Sequence, residues 1–444
     1  MTDTYAFQRE LRANRNDALQ RGVLAVLDIG TSKIGCLVLR MDTAMRDFSD
    51  DFAVPFSRRQ GFRVVGAATT RSRGVKYGEV HAMQETERAV RTAVQAAQKM
   101  AKSRVDHVVV SFGGGTPRSY GLAGDVDIAE DIVGAADVSR VLYDCEQPDL
   151  GQGRQVLHAQ PVNFVLDGRT GLDDPCGQTG RSLAADVHLM SLDQDVVHNI
   201  LRCVERCDLQ VAGLTTSSYM SALSSLVEDE QELGSACIDF GGGSTGVSVF
   251  VKKHLIYSDT VRLGGDHITS DISMGLQIPM PLAERIKTFY GGALATGMDD
   301  REMIDLSGDT GDWEHDRRQV SRSELIGIIR PRIEEILEEV HARLGAAGFE
   351  HLPSRQVVLT GGASQMPGLD GLASRLLGHN VRLGRPMRVQ GLPQAATGPA
   401  FASAVGLALH AADPHQECWD FEVPPEDFSA QPLKRALLWF KENW

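Results

Sequence analysis

The sequence predicts an α/β protein made of two related halves, because one motif occurs twice and because strand and helix patterns alternate along the chain. The motif is an apolar strand that ends in Asp, a tight turn of Gly, Ser and Thr, and a second apolar strand. Residues 24–38 read LAVLDIGTSKIGCLV, and residues 236–250 read ACIDFGGGSTGVSVF. One such hairpin is ordinary, but two copies that each open one half of the chain indicate two related domains.

The chemistry of the repeated motif suits the phosphates of a nucleotide. Glycine lets the backbone turn sharply and brings its N–H groups close to an anion. Asp28 and Asp239 stand at the strand ends, where a carboxylate can hold Mg²⁺ directly or through water. Further hydroxyl donors come from Thr31, Ser32, Ser244 and Thr245. The two halves are therefore expected to close on one nucleotide from opposite sides.

Other interpretations of the Gly-rich turns are weaker. Residues 241–246 match G-x-G-x-x-G, but a dinucleotide site needs a helix after the motif, and residues 247–251 alternate like a strand. No G-x-x-x-x-G-K-[ST] sequence occurs, so a P-loop is unsupported. A plain hairpin turn explains either copy alone, although it does not explain the repeated Asp. The run at 113–115 lacks the Asp and is predicted to be a hairpin turn only.

Composition and charge narrow the class of protein. A length of 444 residues allows two to four domains, and 42% hydrophobic residues suffice for buried cores. The net charge of −14 argues against a nucleic-acid binder, and seven scattered cysteines do not form a secreted disulfide framework. Residues 1–20 are polar, lack the core of a signal peptide and are expected to be a flexible arm. No apolar run approaches the ~20 residues that span a bilayer.

Periodicity places the remaining elements in order. Strands are predicted at 23–27, 34–40 and 63–69, a helix at 86–102 and a strand at 105–112. The stretch that follows, up to about residue 182, is predicted to be a small α/β unit of its own. Strand 185–189 and helix 194–207 then resume the first pattern, and the second half contains a helix at 323–344.

A third nucleotide feature lies at residues 357–364, which read VVLTGGAS. A buried strand is predicted to run directly into a turn formed by Gly361, Gly362 and Ala363. Such small side chains would let an aromatic base and its ribose lie against the backbone. Alone, this turn is only a weak indication of a nucleotide site. It gains weight because it is the third motif of a series that begins with the two Asp hairpins.

This order of motifs resembles the actin, Hsp70 and sugar-kinase superfamily, and the match is closer to one family, FtsA, the bacterial actin-like proteins of cell division. The resemblance extends from about residue 23 to the end of the chain. It implies an actin-like ATPase fold, with two lobes around a nucleotide cleft and an inserted subdomain, 1C. The segments that carry it are LDIGTSKIGCLV, VERCDLQVAGL, DFGGGST, AERIKTFYG, VVLTGGASQMPG and a basic C-terminal helix.

The resemblance also implies where the parts of the fold begin and end. Subdomain 1A would take 21–78 and 184–216, subdomain 1C 79–183, subdomain 2A 217–265 and 323–395, and subdomain 2B 266–322. Residues 396–412 would form a helix that returns to 1A.

The family binds ATP with Mg²⁺, and the resemblance carries its site onto this chain. Phosphates would be held from one side by Gly30, Thr31, Ser32 and Lys33, and from the other by Gly241, Gly242, Gly243, Ser244 and Thr245. Gly361, Gly362 and Ala363 would face the adenosine. Glu284 and Lys287 would either approach the ribose and base from 2B or form a surface ion pair. Lys33 would either bind a phosphate or be an ordinary solvated lysine.

Hydrolysis needs a polar residue that orients the attacking water. Ser191, Asp193 and Asp195 follow the strand predicted at 185–189, and the sequence does not choose among them. The chain is therefore expected to be a weak ATPase at most, in which the nucleotide acts mainly as a polymerisation switch.

The C-terminal tail predicts a membrane contact. Residues 413–432 are acidic and proline-rich, as linkers are. Residues 433–444 place apolar and basic side chains on largely separate helical faces, which is typical of a helix in a membrane interface; the alternative is a helix docked on the protein's own core. The residues that contact the membrane, through either the apolar or the basic face, would be Leu433, Lys434, Arg435, Leu437, Leu438, Trp439, Phe440, Lys441 and Trp444.

Two functional classes follow from these features. In the first, ATP-bound subunits form a filament on the cytoplasmic face of the membrane at the division site and anchor the FtsZ ring, and other division proteins bind through 1C. The C-terminal peptide of FtsZ would dock on 2B, near Arg332 and Glu335, which are otherwise solvated helix charges. In the second, the chain is a small-molecule kinase or a pilus-assembly ATPase of the same superfamily, although neither is expected to carry the amphipathic tail.

Overall fold

The computed structural model describes residues 5–41, 61–146, 148–306 and 318–423. In the first half of the chain the elements are α1 (Ala6–Arg21), β1 (Val23–Ile29), β2 (Lys33–Met41), β3 (Phe62–Arg71), β4 (Val75–Lys76), β5 (Glu79–Val80), α2 (Met83–Ala101), β6 (His107–Phe112), β7 (Arg118–Asp127), α3 (Ala135–Asp144), β8 (Arg154–Leu166), β9 (Arg169–Leu172), β10 (Ser182–Asp193), α4 (Gln194–Glu205) and β11 (Gln210–Thr216).

In the second half they are α5 (Ser217–Ser225), α6 (Glu228–Leu233), β12 (Ser235–Phe240), β13 (Thr245–Val251), β14 (His254–Val261), α7 (Gly265–Leu276), α8 (Met280–Tyr290), β15 (Met303–Asp305), β16 (Gln319–Ser321), α9 (Arg322–Ala346), β17 (Gln356–Thr360), α10 (Leu369–Leu377), β18 (Asn380–Leu383) and α11 (Ala402–Ala412).

The two halves of the chain form lobes whose sheets have the same topology. The first sheet has the order β3-β2-β1-β6-β11, and the second has the order β14-β13-β12-β17-β18. In each sheet the Asp-containing strand, β1 or β12, pairs antiparallel with the next strand and parallel with a later one, β6 or β17. The prediction of two related halves, each built on one copy of the hairpin, is therefore confirmed.

Helices α5 and α11 pack between the two sheets and join the lobes. Leu24 on one sheet and Cys237 on the other belong to the same buried core as these helices. The two helices cross so closely that a Cβ on Gly406 would overlap the carbonyl oxygen of Met220. The helix that was predicted at 396–412 begins at Ala402 in the structure. It packs against β1, β2 and β6 of the first lobe.

The inserted subdomain is smaller than the predicted segment 79–183. Its sheet has the order β7-β10-β8-β9, and α3 packs on it. The predicted boundaries are wrong at both ends, because α2 and β6 belong to the first lobe, whereas β10 pairs with β7 and β8 as far as Asp193. Strand pairing, which local periodicity does not reveal, decides which sheet a strand joins.

The N-terminal segment forms a helix, so the prediction of a flexible arm over 1–20 is wrong for its described part. Helix α1 packs on β11, where Ala18 is fully buried and the Asn14 side-chain amide donates to the Val211 carbonyl oxygen at 3.0 Å. The ring of Tyr5 packs against Trp419 with centroids 5.5 Å apart. The polar composition of this helix gave no sign that it packs on the protein, because only a few of its side chains are buried in the contact.

The segment after α11 is packed as well, so the predicted linker 413–432 begins too early. Glu417 is buried and its carboxylate accepts hydrogen bonds from the Ala159 N–H (2.8 Å) and from Gln160 Nε2 (2.9 Å), while His158 Nδ1 lies 2.7 Å away. Arg12 of α1 also pairs with Asp420 at 2.7 Å. The rest of the predicted linker and the predicted membrane helix 433–444 lie outside the described residues. Within the described part of the chain, no helix is long and apolar enough to cross a membrane.

Candidate nucleotide site

The two Asp hairpins have the same local geometry. In the first turn the Gly30 N–H donates to the Lys33 carbonyl at 3.1 Å, and in the second the Gly241 N–H donates to the Ser244 carbonyl at 3.0 Å. Each turn is short because glycine tolerates the close approach of its own hairpin backbone. Strand β13 follows the second turn directly, which confirms that the glycines do not open a helix and that a dinucleotide motif is absent there.

The two turns meet across the cleft between the lobes. A Cβ on Gly242 would overlap Ser32 Oγ and lie 3.3 Å from Ser32 Cβ, so the absence of a side chain at 242 lets the two turns approach closely. The turns enclose a cavity of about 180 Å³. Predicted residues that line it are Asp28, Gly30, Thr31, Ser32, Lys33, Asp239, Gly241, Gly242, Gly243, Ser244, Gly361 and Gly362. The structure therefore brings the three sequence features together at one place.

The two aspartates form the electrostatic centre of this cavity. Oδ1 of Asp28 accepts hydrogen bonds from Ser111 and Ser403, both at 2.8 Å, and Asp239 accepts one from Ser221 at 2.7 Å. Burial is the main cause that raises the pKa of Asp239 to about 6; the negative charge of Asp28 acts in the same direction, and the hydrogen bond from Ser221 and the charge of Lys33 act against it. Two adjacent carboxylates of this kind fit Mg²⁺, which takes one or two carboxylates together with phosphate oxygens.

Lys33 lies inside the cleft and is not a solvated surface lysine. Its Nζ sits 3.4 Å from the centroid of the Phe401 ring, which is a cation–π geometry. Burial lowers the pKa of Lys33, while Asp28 and Asp239 act in the opposite direction. A cation held between two carboxylates and an aromatic face can offset the charge of a bound phosphate.

The turn after β17 closes the far end of the cavity. Gly361 has φ of +88°, and a Cβ there would overlap Asp239 Oδ1, so only glycine fits. Ala363 does not line the cavity itself and packs beside Gly265, where a Cβ would lie 3.3 Å from it. Gly361 thus adjoins Asp239 and Gly362 lines the cavity, whereas Ala363 does not; that this turn faces a nucleoside stays a prediction.

Glu284 and Lys287 form the ion pair that was one of their two predicted roles, and neither residue lines the cavity. They form an ion pair at 2.6 Å, and Lys287 Nζ also donates to the Gly265 carbonyl oxygen at 3.0 Å and to Thr269 at 2.7 Å. Lys287 is well shielded from solvent and Glu284 is half-exposed. This pair therefore fastens α8 to the start of α7 at the edge of the site.

Some predicted residues do not line the cavity. The Thr245 hydroxyl is fully buried and donates to the Leu263 carbonyl oxygen at 2.8 Å, so its hydrogen is not free for a phosphate. Ser191, Asp193 and Asp195 are also absent from the lining. Asp193 pairs with Arg154 at 2.5 Å and accepts from Thr116 at 2.9 Å, which gives it a structural role beside the inserted sheet.

Other lining residues were missed from the sequence: Gly78, Gly113, Ser217, Ser218, Gly246, Thr260, Pro399, Ala400 and Ser403. Gly113 belongs to the run predicted to be a hairpin turn only, and its carbonyl oxygen accepts a hydrogen bond from Ser244 Oγ at 3.4 Å. The sequence did contain a signal for Gly113, because glycines that follow two neighbouring parallel strands lie at the same edge of the sheet. Ser217 and Ser403 carried no comparable signal.

Arg332 and Glu335, the predicted peptide contacts, lie on α9. Arg332 forms a bidentate pair with Asp271 of α7, at 2.7 and 3.0 Å, and also bonds to Glu335. Glu335 is half-exposed, whereas Arg332 is more shielded. The structure thus leaves Glu335 accessible and uses Arg332 to join two helices.

Comparison with known proteins identifies the family. The model of the cell division protein FtsA matches residues 236–406, and the model of the SHS2 domain inserted in FtsA matches 114–191, in agreement with the observed inserted sheet. Cell division protein FtsA of Agrobacterium fabrum is 39% identical over 388 residues, covering 87% of this chain and 86% of the relative. That of Pseudomonas aeruginosa is 32% identical, covering 96% and 98%, and that of Escherichia coli K12 is 30% identical, covering 90% and 92%.

Solved structures support the same fold. A PilM–PilN type IV pilus biogenesis complex matches with a TM-score of 0.58 at 17% identity, covering 88% of this chain and 99% of the matched chain. MreB5 of Spiroplasma citri bound to ADP matches with a TM-score of 0.50 at 11% identity, covering 87% and 95%. At these identities the likeness shows the actin-like fold alone. The relatives above, at 30–39% identity over most of the chain, establish that it belongs to the FtsA family of cell division proteins.

Proposed function

We propose that this chain, which acts in cell division as its family does, binds Mg²⁺ and ATP in the cleft between its lobes and polymerises on the cytoplasmic face of the membrane at the division site. The observation that carries the proposal is the cavity in which two Asp hairpins and the Gly361 turn meet. A binding site for a polyanion with a divalent cation accounts for this combination of turn glycines, paired carboxylates and a buried lysine.

The residues of the cavity divide the work of holding the nucleotide. Asp28 and Asp239 would hold the cation, and the N–H groups of the two glycine turns, with Lys33, would hold the phosphates. Magnesium bound there would neutralise phosphate charge. None of the polar residues predicted to orient an attacking water lines the cavity. The chain would be a weak ATPase at most, in which nucleotide acts mainly as a polymerisation switch.

Membrane attachment is assigned to residues 433–444 on sequence grounds. Each basic residue near an anionic lipid surface contributes only about 1 kcal/mol, so a single tail would bind reversibly. Many tails on one filament would bind far more tightly through avidity. Polymerisation and attachment are therefore coupled, and the filament would hold the FtsZ ring at the membrane and recruit other division proteins through 1C.

The proposal is tested by electron microscopy of the full chain on anionic lipid monolayers, with and without ATP and Mg²⁺. Filaments are expected only when lipid and nucleotide are both present, and a chain ending at residue 432 should give none on the monolayer. A neutral lipid monolayer is the matched control. Equal filament formation without nucleotide, or by the truncated chain on lipid, would refute the coupling. ATP-dependent phosphorylation of small metabolites would instead support a kinase.

The FtsZ C-terminal peptide is proposed to contact α9 at Arg332 and Glu335. Since Arg332 also pairs with Asp271, changing Arg332 would disturb the fold, and Glu335 is the cleaner probe. E335K is expected to change the peptide affinity at least fivefold, measured by fluorescence anisotropy with a labelled FtsZ tail peptide. E350K makes the same charge change at an exposed position beyond the end of α9 and should leave the affinity unaltered. Equal affinities for both variants would remove Glu335 from the interface.

A further inference from the structure

A short turn of the first lobe reaches across the cleft to the second lobe. It connects β4 to β5 and carries Tyr77 in a left-handed conformation, with φ of +54°. The Tyr77 ring stacks on the His267 imidazole, with centroids 5.8 Å apart and planes inclined by 27°. The Arg262 guanidinium lies 5.0 Å from the centroid of the same ring, and its Nη1 lies 3.2 Å from Glu79 Oε1.

The contacts of this turn lead directly to both phosphate turns. On the first lobe, the Gly78 N–H donates to Thr31 Oγ1 at 3.0 Å. On the second lobe, His267 lies in the first turn of α7, where the Gly265 N–H donates to the Gly241 carbonyl (3.0 Å) and the Asp266 N–H donates to the Gly242 carbonyl (2.8 Å). One cluster of contacts therefore joins the two loops that face each other across the cavity.

Three of these residues line a second cavity of about 480 Å³ that adjoins the nucleotide cavity. Tyr77, Glu79 and Arg262 line this second cavity, and Thr260 lines both. A left-handed conformation is uncommon for tyrosine, and such residues concentrate where a local structure has a functional role. Here the conformation places the ring between two side chains of the opposite lobe.

We propose that Tyr77, Glu79, Arg262 and His267 form an interlobe latch, which holds the two phosphate turns together and slows the release of bound nucleotide. The inference rests on the proposed function, in which the cavity binds ATP. The latch residues do not line the nucleotide cavity and act by positioning the turns that do. They set how long the cleft stays closed.

The latch is tested by the dissociation rate of N-methylanthraniloyl-ATP from the full chain, measured by stopped-flow displacement with excess ATP. Y77A and R262A should each release the nucleotide 3- to 10-fold faster than the unmodified chain. In the double variant the release rate should rise by less than the product of the two single effects, because both changes remove the contact between Tyr77 and Arg262. Y77F retains the aromatic ring and should release at the original rate, as should R169A, which alters an exposed arginine of the inserted sheet.

Thermal unfolding without nucleotide should be similar for all these variants, since the latch contacts are partly exposed. If the unmodified chain binds the nucleotide and the release rates of Y77A and R262A are unchanged, the latch is overturned and the proposed function stands. If the unmodified chain does not bind the nucleotide, the proposed function is overturned and the latch with it. A rate increase in the double variant equal to the product of the two single effects would show that Tyr77 and Arg262 do not act through a shared contact, and would also overturn the latch.

Discussion

Replacing Gly406 by alanine is expected to destabilise the protein by about 3 kcal/mol or more, at the upper end of the overpacking range. The new Cβ would overlap the Met220 carbonyl oxygen and lie 2.6 Å from the carbonyl carbon. Both groups are helix backbone, which cannot rotate away as a side chain can. Relief would require α5 and α11 to separate, and these helices form the core that joins the lobes.

Urea unfolding followed by circular dichroism measures this effect as a lower transition midpoint. Gly327 provides the matched control, because it lies on the exposed face of α9 and a Cβ there would meet nothing within 4 Å. G327A should be neutral or stabilising by up to ~1 kcal/mol, since alanine is the better helix former. Similar midpoints for G406A and G327A would contradict the close crossing of α5 and α11.

Replacing Asp239 by asparagine is expected to stabilise the nucleotide-free protein while removing most of its affinity for ATP with Mg²⁺. Burial raises the pKa of Asp239 from 3.8 to about 6. The folded protein therefore holds this proton more tightly than the unfolded chain does, and the ionised carboxylate costs stability at pH 7. The cost declines as the pH falls through about 6 and is gone below about 4.

Asparagine is neutral at every pH, so D239N should gain about 1–3 kcal/mol of stability at pH 7 and show no gain at pH 4. In the proposed site Asp239 helps to hold Mg²⁺, so loss of its carboxylate should weaken binding of ATP with Mg²⁺ by a factor of roughly 10–100 or more. Thermal unfolding at the two pH values and calorimetric titration with ATP, with Mg²⁺ or with EDTA, measure both effects. An affinity equal to that of the unmodified chain would show that Asp239 has no part in holding the metal.

Sequence patterns anticipated the centre of the site because its chemistry is local. Each Asp hairpin is specified by about fifteen consecutive residues, and the Gly361 turn by eight. The strand at residues 247–251 was also predictable from the sequence, since alternation of side-chain types over five residues distinguishes a strand from the helix of a dinucleotide motif. Such features need no knowledge of what lies opposite them.

The missed residues are those that the fold brings from a distance. Ser403 reaches Asp28 across 375 positions of the chain, and Ser217 reaches it across 189. A serine in a helix looks the same in sequence whether or not an aspartate lies beside it. The boundary of the inserted subdomain was misplaced for a related reason, because β6 and β10 differ in the sheet they join and not in their composition.

Both ends of the described chain were predicted to be loose, and both are docked. Helix α1 is too polar to show a strong apolar stripe, yet Ala18 and Gln8 are buried. The segment 413–423 contains the acidic residues of a linker, but Glu417 finds three partners on β8, and Trp419 is nearly buried. The composition of a segment indicates how such segments behave on average. It does not predict that one side chain, such as Glu417, finds specific hydrogen-bond partners.

The docking of Glu417 decides where a mechanical load would enter the molecule. A pull on the chain beyond residue 423 would be resisted first by the ion pair between Arg12 and Asp420, and then by the bonds from Ala159 and Gln160 to the Glu417 carboxylate, before tension reaches α11. Strand β8 belongs to the inserted sheet, so part of a load on the C-terminal segment would enter that sheet. Another part would reach α5 between the lobes, because Gln160 also donates a hydrogen bond to the Tyr219 hydroxyl.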